Sequence, residues 1–232
     1  MTEPRYVRTT RESYDAIAVS YAEHFRDVFD TQAYDRAMLA AFAELVRGAG
    51  GGPVVDLGSG PGWVTARLHS LGLAVSGIDL SPAMVALARR TYPDLRFDEG
   101  SMTALDMADG ALAGVVAWYS LIHIAPRDVP AVLAEFHRVL APGGHLLLAF
   151  QVGDEPLRLT EALGHAVSLD FHRWSPDRLA ALLDGAGFTL DARLLREPSA
   201  TERTPQAYLL ARKRTVEEAE EVVEAVEAEV EA

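Results

Sequence analysis

Cysteine is absent from the 232 residues, which excludes disulfide bonds and every metal site built on thiolates. Lysine is almost absent: Lys213 is the only one, and arginine carries the remaining basic charge. No run of 18 apolar residues occurs, so no membrane-spanning helix is expected. The opening MTEPRYVRTTRESYD is too polar for a secretory signal, and a cytoplasmic protein is expected. Basic clusters are also lacking. The net charge is −13, which argues against a nucleic-acid backbone as the main ligand. Eight glutamates and no basic residue fall in 215–232, leaving −5 for the rest. The body is therefore only mildly acidic.

With 49% apolar residues, the chain has enough material for one buried domain with appendages. Residues 1–50 read as a helical cap. Tyr14, Ile17, Tyr21, His24, Phe25 and Val28 recur at three- and four-residue steps. A second helix spans 33–46, ended by RGAGGGP. From Pro53 onward, short apolar runs alternate with amphipathic stretches. Strands are expected at 54–57, 74–78, 95–97, 115–118 and 145–150, with helices at 61–70, 82–92 and 128–140. Pro61 and Pro82 suit first helical turns, and Ser81 suits an N-cap. This alternation implies an α/β domain over 51–214, a parallel sheet covered by helices on both faces. Residues 151–174 break the rhythm and read as a lid insertion. Ser175 and Pro176 open another helix. Two last strands, 189–195 and 206–211, are close enough to form a hairpin. The tail, 215–232, carries a valine stripe (Val216, Ala219, Val223, Val226, Val230) but dense glutamate, and reads chiefly as a solvated extension.

The most informative stretch is VVDLGSGPG, residues 54–62. A glycine turn between a parallel strand and a helix is expected to present unpaired N–H groups to a nucleotide-like ligand at the carboxyl end of the sheet. The glycines are spaced GxGxG, not the GxGxxG of dinucleotide-binding turns. Asp79 lies about twenty residues beyond the first glycine, a spacing at which a carboxylate reaches a ribose diol.

Together, VVDLGSGPGWVTARL, GIDLSPAMVALAR and EFHRVLAPGGHLLLAF resemble the class I S-adenosylmethionine-dependent methyltransferases, small-molecule branch. The resemblance covers residues 10–212. It implies a Rossmann-like, seven-stranded, mostly parallel sheet with the last strand antiparallel. It also implies S-adenosylmethionine as methyl donor and S-adenosylhomocysteine as product. The methionine moiety would lie on Gly58, Ser59, Gly60 and Gly62, with Asp56 near its amino group. Asp79 would hold the ribose, with Leu80 and Met84 beside the adenine. Ser101 and Met102 stand where many relatives place an acidic adenine contact. Gly114 stands where relatives often begin the fourth strand with aspartate. His123 matches the first histidine of a motif that relatives carry at this place.

Methyl transfer from a sulfonium is an in-line displacement that needs positioning more than acid–base chemistry. If a base is used, His123 and His172 are the candidates: His123 by its place beyond the fourth strand, His172 by its place in the lid. Tyr14, Tyr21 and Tyr119 are expected on the cofactor side. His24, Phe171, Arg173 and Trp174 are expected around the acceptor. No metal cluster is visible. The expected partner is a small molecule, without nucleic acid or membrane, and the chain a monomer or homodimer. Two alternatives remain at this point: a nicotinamide-dependent oxidoreductase, and a non-catalytic S-adenosylmethionine-binding scaffold.

Overall fold

A computed structural model describes residues 3–26, 32–200, 202–218 and 220. Val28 and most of the tail stripe lie outside the described residues. The chain opens with two helices, α1 (Arg5–His24) and α2 (Ala33–Gly48). Then follow β1 (Pro53–Leu57), α3 (Trp63–Ser70), β2 (Ala74–Asp79), α4 (Pro82–Thr91), β3 (Arg96–Glu99) and β4 (Leu112–Trp118). A 3-10 turn (Leu121–His123), α5 (Val129–Val139) and β5 (Leu140–Gln151) come next. A hairpin of β6 (Leu157–Ala162) and β7 (His165–Phe171), α6 (Pro176–Gly185), β8 (Phe188–Arg196) and β9 (Gln206–Lys213) complete the chain.

Seven strands form one sheet in the order β3-β2-β1-β4-β5-β9-β8. β9 runs antiparallel to both neighbours and the remaining strands are parallel. Alternate residues on the central strands feed two cores, as the two-residue period of a strand requires. Val55, Leu57, Val115, Ala117, Leu146 and Leu148 face α5 and α6. Val54, Val116, Leu147 and Ala149 face α2 and α3. Among the described residues no helix is long and apolar enough to cross a membrane.

Two local expectations need correction. Pro61 does not enter a helical turn, because α3 starts at Trp63 with Gly62 as its N-cap at φ +91°. A Cβ on Gly62 would lie 2.8 Å from the Phe97 ring, so glycine is required there on both conformational and steric grounds. β5 begins at Leu140, not 145, and takes in the whole APGG stretch. Ser81 and Ser175 do cap their helices, accepting from Met84 N (3.1 Å) and Arg178 N (3.5 Å). At the chain's far end, Thr215 and Glu218 hydrogen-bond reciprocally, a capping box that opens a helix within the acidic segment.

The insertion is the β6–β7 hairpin, and it joins α1 to form a roof. Ile17 packs with Val167 and Leu169. Ser13 Oγ accepts from Ser168 N–H at 2.9 Å. α1 is also anchored to the body: Arg11 donates to Leu80 O (3.2 Å), and Asp15 Oδ1 accepts from Ser81 Oγ (2.6 Å) and Ala83 N (3.1 Å).

Gly114 has a packing reason. A Cβ there would stand 2.7 Å from Phe42 and 3.2 Å from Val46 and Val54. Phe42 therefore occupies the space that a larger residue would need. Gly114→Ala is expected to destabilise the fold by about 1–3 kcal/mol through overpacking, and Phe42→Leu in that background to recover part of the loss. Urea denaturation of the single and double variants checks this; additive losses would contradict it.

Candidate functional site

The site floor is the turn after β1. Gly58 sits at φ +72°, and a Cβ on it would meet Ser120 Cβ at 2.4 Å. Ser120 Oγ in turn donates to Leu57 O at 2.6 Å, locking the exits of β1 and β4 together. The N–H groups of Gly58 and Ser59 both go to Ile78 O, at 2.7 and 3.1 Å. Gly60 N–H goes to Asp79 Oδ2 at 2.7 Å, and Gly62 N–H to Ser59 O at 3.0 Å. Pro61 has no N–H. The expectation of free donors is therefore corrected: every amide hydrogen of this turn is already used.

A buried carboxylate beside the turn disfavours an anion there. Asp79 is 9% exposed and its second oxygen accepts from Ser81 N–H at 2.8 Å. Burial pushes its pKa up to about 6, against the backbone N–H groups of Ser81, Gly60 and Leu80 that hold it down. Asp56 is fully buried and faces Thr65 Oγ1 on α3 at 2.7 Å. Its other oxygen has no partner, and burial raises its pKa to about 7.

The roof supplies a second cluster. His123 Nδ1 lies 3.1 Å from the Asp170 carbonyl, and Nε2 lies 2.8 Å from the Tyr14 hydroxyl. A carbonyl only accepts, so Nδ1 carries the proton and Nε2 accepts from Tyr14. Burial depresses the His123 pKa to about 4 and raises that of Tyr14 well above its ordinary value. Both side chains are thus neutral at pH 7. The rings of Tyr21 and Phe171 meet this pair edge-on or close to it. Tyr119, at the end of β4, holds φ +51°, a conformation costing a non-glycine residue about 1–2 kcal/mol.

Floor and roof enclose a cavity of about 550 Å³. Tyr14, Tyr21, Gly58, Ser59, Gly60, Asp79, Leu80, Met84, Ser101, Met102, Tyr119, His123 and Phe171 all line it. Six residues selected from the sequence do not. Asp56 is turned to α3, and Gly62 is the cap of that helix. His24 is exposed on the last turn of α1. His172 donates its N–H to Ile122 O at 2.7 Å, pinning the end of β7. Arg173 packs along Gly153. Trp174 is 2% exposed in the main core, with Arg178 over its ring at 5.2 Å. An isolated parallel bridge between Val152 and Trp174 returns residues 172–174 to the body, so their place in the sequence alone misplaced them.

The cavity also has a polar end that sequence reading missed: Asp35, Gln151, Arg196, Glu202 and Gln206. They come from α2, β5, β8, β9 and a loop, so no local spacing links them. Among the described residues no group of three His, Asp or Glu side chains is placed to hold a metal ion.

Residues 54–144 match the sequence profile of the family described as Methyltransferase domain. The demethylmenaquinone methyltransferase of Thermus thermophilus is 30% identical over 172 residues, covering 61% of this chain and 76% of that one. The same-named enzyme of Chlorobaculum parvum is 29% identical over 155 residues, 66% of this chain but 60% of its own length. The chain thus spans less than two thirds of that curated relative. Among solved structures, it is similar to a Burkholderia thailandensis 1,6-didemethyltoxoflavin-N1-methyltransferase with bound 1,6-didemethyltoxoflavin and S-adenosylhomocysteine. That likeness has a TM-score of 0.68 and 25% identity, and covers 93% of this chain and 92% of the other.

The buried carboxylates make stability depend on pH. The folded-state pKa values of Asp79 and Asp56, about 6 and about 7, lie above those of an unfolded chain. Their contribution is fully present below the unfolded-state pKa and lost as pH rises through the folded one. The ligand-free chain is expected to lose stability from these groups between about pH 4 and pH 7, and Asp79→Asn to flatten the lower part of that slope. Urea denaturation at stepped pH checks this, and an unchanged slope in the variant contradicts it.

Proposed function

Because the chain belongs to the class I S-adenosylmethionine-dependent methyltransferases, we propose that it moves a methyl group from that donor to a small-molecule acceptor. The observation that carries the reading is one cavity with the braced glycine turn and Asp79 on one wall and the Tyr14–His123 pair on the other. The residues fit the donor. Asp79 is a buried acceptor at the end of β2, suited to a diol that would donate to it and relieve its desolvation. Leu80, Met84, Ser101 and Met102 form a half-apolar wall for the adenine. Gly58, Ser59 and Gly60 line the same wall, where the amino-acid end would lie. A cationic sulfonium also suits a carboxylate-braced turn better than a pyrophosphate does. That weighs against the nicotinamide alternative.

The bound donor supplies a methyl carbon already activated by a positive sulfur. The protein's part is alignment and proton removal. His123 is not placed to take a proton directly, since its Nε2 already holds the Tyr14 hydroxyl. In our reading the acceptor's proton passes to the Tyr14 oxygen as Tyr14 gives its own to Nε2. The imidazolium so formed keeps its Nδ1–H on the Asp170 carbonyl. Its low pKa makes it a weak base, so the relay operates as the methyl bond forms and the acceptor acidifies. A buried Tyr–His pair on the cavity wall favours this reading over a non-catalytic scaffold. Helix α1 and the hairpin would exclude water from the transfer.

The test is transfer of labelled methyl from S-adenosylmethionine to a panel of phenols and amines. His123→Ala and Tyr14→Phe are each expected to lower turnover on a hydroxyl acceptor by about 10²–10⁴-fold, with S-adenosylhomocysteine affinity little changed. Loss of less than tenfold in both would remove the relay and leave proximity alone. Asp79→Ala is expected to weaken S-adenosylhomocysteine binding roughly tenfold to a few hundredfold; unchanged affinity by calorimetry would take Asp79 out of the site.

A further inference from the structure

Two non-glycine residues of the cavity wall hold a positive φ, Leu163 and Tyr119, both at +51°. Leu163 sits in the hairpin turn, where such a conformation is ordinary. Tyr119 instead leaves the central strand β4. Backbone strain of this kind persists only where the surroundings over-determine it. Here they do so at both ends of the residue. The Tyr119 N–H donates to Ala149 O at 2.9 Å, and its hydroxyl lies 3.4 Å from the hydroxyl of Tyr208. Ala149 and Tyr208 are cross-strand partners in the β5–β9 ladder. One rung of the sheet therefore supplies both attachments.

Tyr208 is wholly buried, with its ring 5.4 Å from that of Trp118. A phenylalanine would fill the same space without burying a hydroxyl. The hydroxyl is fully committed instead. It donates to Asp35 Oδ1, and its oxygen faces Arg196 Nε and the Tyr119 hydroxyl, each at 3.4 Å. A guanidinium only donates, and the Tyr208 proton is spent on Asp35, so Tyr119 donates as well. Two donors thus share the two lone pairs of one oxygen. That oxygen is itself fixed, because Arg196 holds both Glu202 oxygens at 2.7 Å and Asp35 belongs to α2. The residue after Tyr119 carries the consequence to the floor. Ser120 Oγ donates to Leu57 O at 2.6 Å, and Ser120 Cβ stands so close to Gly58 that a Cβ there would lie 2.4 Å from it. Any relaxation of φ at Tyr119 swings Ser120 relative to the glycine turn.

We propose that Tyr208 is a positioning residue for donor binding: its hydroxyl holds the Tyr119 side chain, and with it the strained exit of β4 that braces the Gly58 turn. It touches no ligand itself and acts through Tyr119. The inference rests on the methyltransferase reading in taking an S-adenosyl compound as the ligand of that turn.

The test is a double-mutant cycle on the full chain, read by calorimetric titration of S-adenosylhomocysteine. Tyr208→Phe and Tyr119→Phe are each expected to weaken binding about three- to tenfold. Because the same contact is lost in every variant, the double variant should bind no more weakly than the weaker single one. Native affinity in Tyr208→Phe, or losses that multiply in the double variant, would overturn the inference; a hydroxyl that only ties α2 to β9 gives the first of these results. A second measurement needs no ligand. In the chain labelled with fluorotyrosine, the fluorine resonance of Tyr119, assigned by its loss in Tyr119→Phe, is expected to move or broaden in Tyr208→Phe. An unchanged resonance overturns the inference. Should Tyr208→Phe fail to fold, Asp35→Asn, which weakens the acceptor that orients the Tyr208 hydroxyl, is carried through both measurements with the same expectations. Failure of the native chain to bind S-adenosylhomocysteine counts against the methyltransferase reading, and the fluorine resonance still decides whether Tyr208 holds Tyr119.

Discussion

The carboxylate of Asp79 is the constraint on which the site depends. One oxygen takes the N–H of Gly60 and the other that of Ser81. A single buried charge thereby ties the turn after β1 to the start of α4, across the neighbouring strands β1 and β2. The same two backbone donors lower the cost of burying it. The turn can then keep its three positive-φ glycines in one conformation. What remains facing the cavity is a carboxylate edge with spare lone pairs, not a nest of free N–H groups. This distinguishes a floor suited to a ribose and a sulfonium from one suited to a pyrophosphate.

The roof is referred to the same point. Asp15 of α1 accepts from Ser81 Oγ and Ala83 N at the opening of α4, and Arg11 donates to the Leu80 carbonyl. α1 then carries the hairpin through Ile17 and Ser13. Tyr14 reaches His123 between these attachments. Pairing the roof tyrosine with a scaffold histidine gives the acceptor side a position fixed from both elements. The cavity consequently has three chemistries along its length: a half-apolar cofactor wall, a neutral Tyr–His pair, and a polar end at Asp35.

Much of this was legible in the residues. The five parallel strands announce themselves because strands buried on both faces are short apolar runs, and the C-terminal pair because it alternates around a polar loop. The hairpin was less visible, although Val167, Leu169 and Phe171 alternate with Ser168 and Asp170. Its turn is Leu163-Gly164, with leucine at φ +51°, where Asn or Asp would have signalled a two-residue hairpin. The floor was legible as a motif but not in its polarity, because nothing in GSGPG says that Ile78 and Asp79 will consume its donors. Lid residues 172–174 were misassigned since the chain re-enters the core at Trp174. The polar end was illegible: Asp35 and Arg196 are 161 positions apart and meet only through the antiparallel β9.

The central claim is that the carboxylate-braced turn accepts an S-adenosyl nucleoside and refuses a dinucleotide. Parallel calorimetric titrations of S-adenosylhomocysteine and NADH into the native chain address it directly. The structure predicts saturable one-to-one binding of S-adenosylhomocysteine and no measurable heat with NADH. Binding of NADH with no response to S-adenosylhomocysteine would contradict the account.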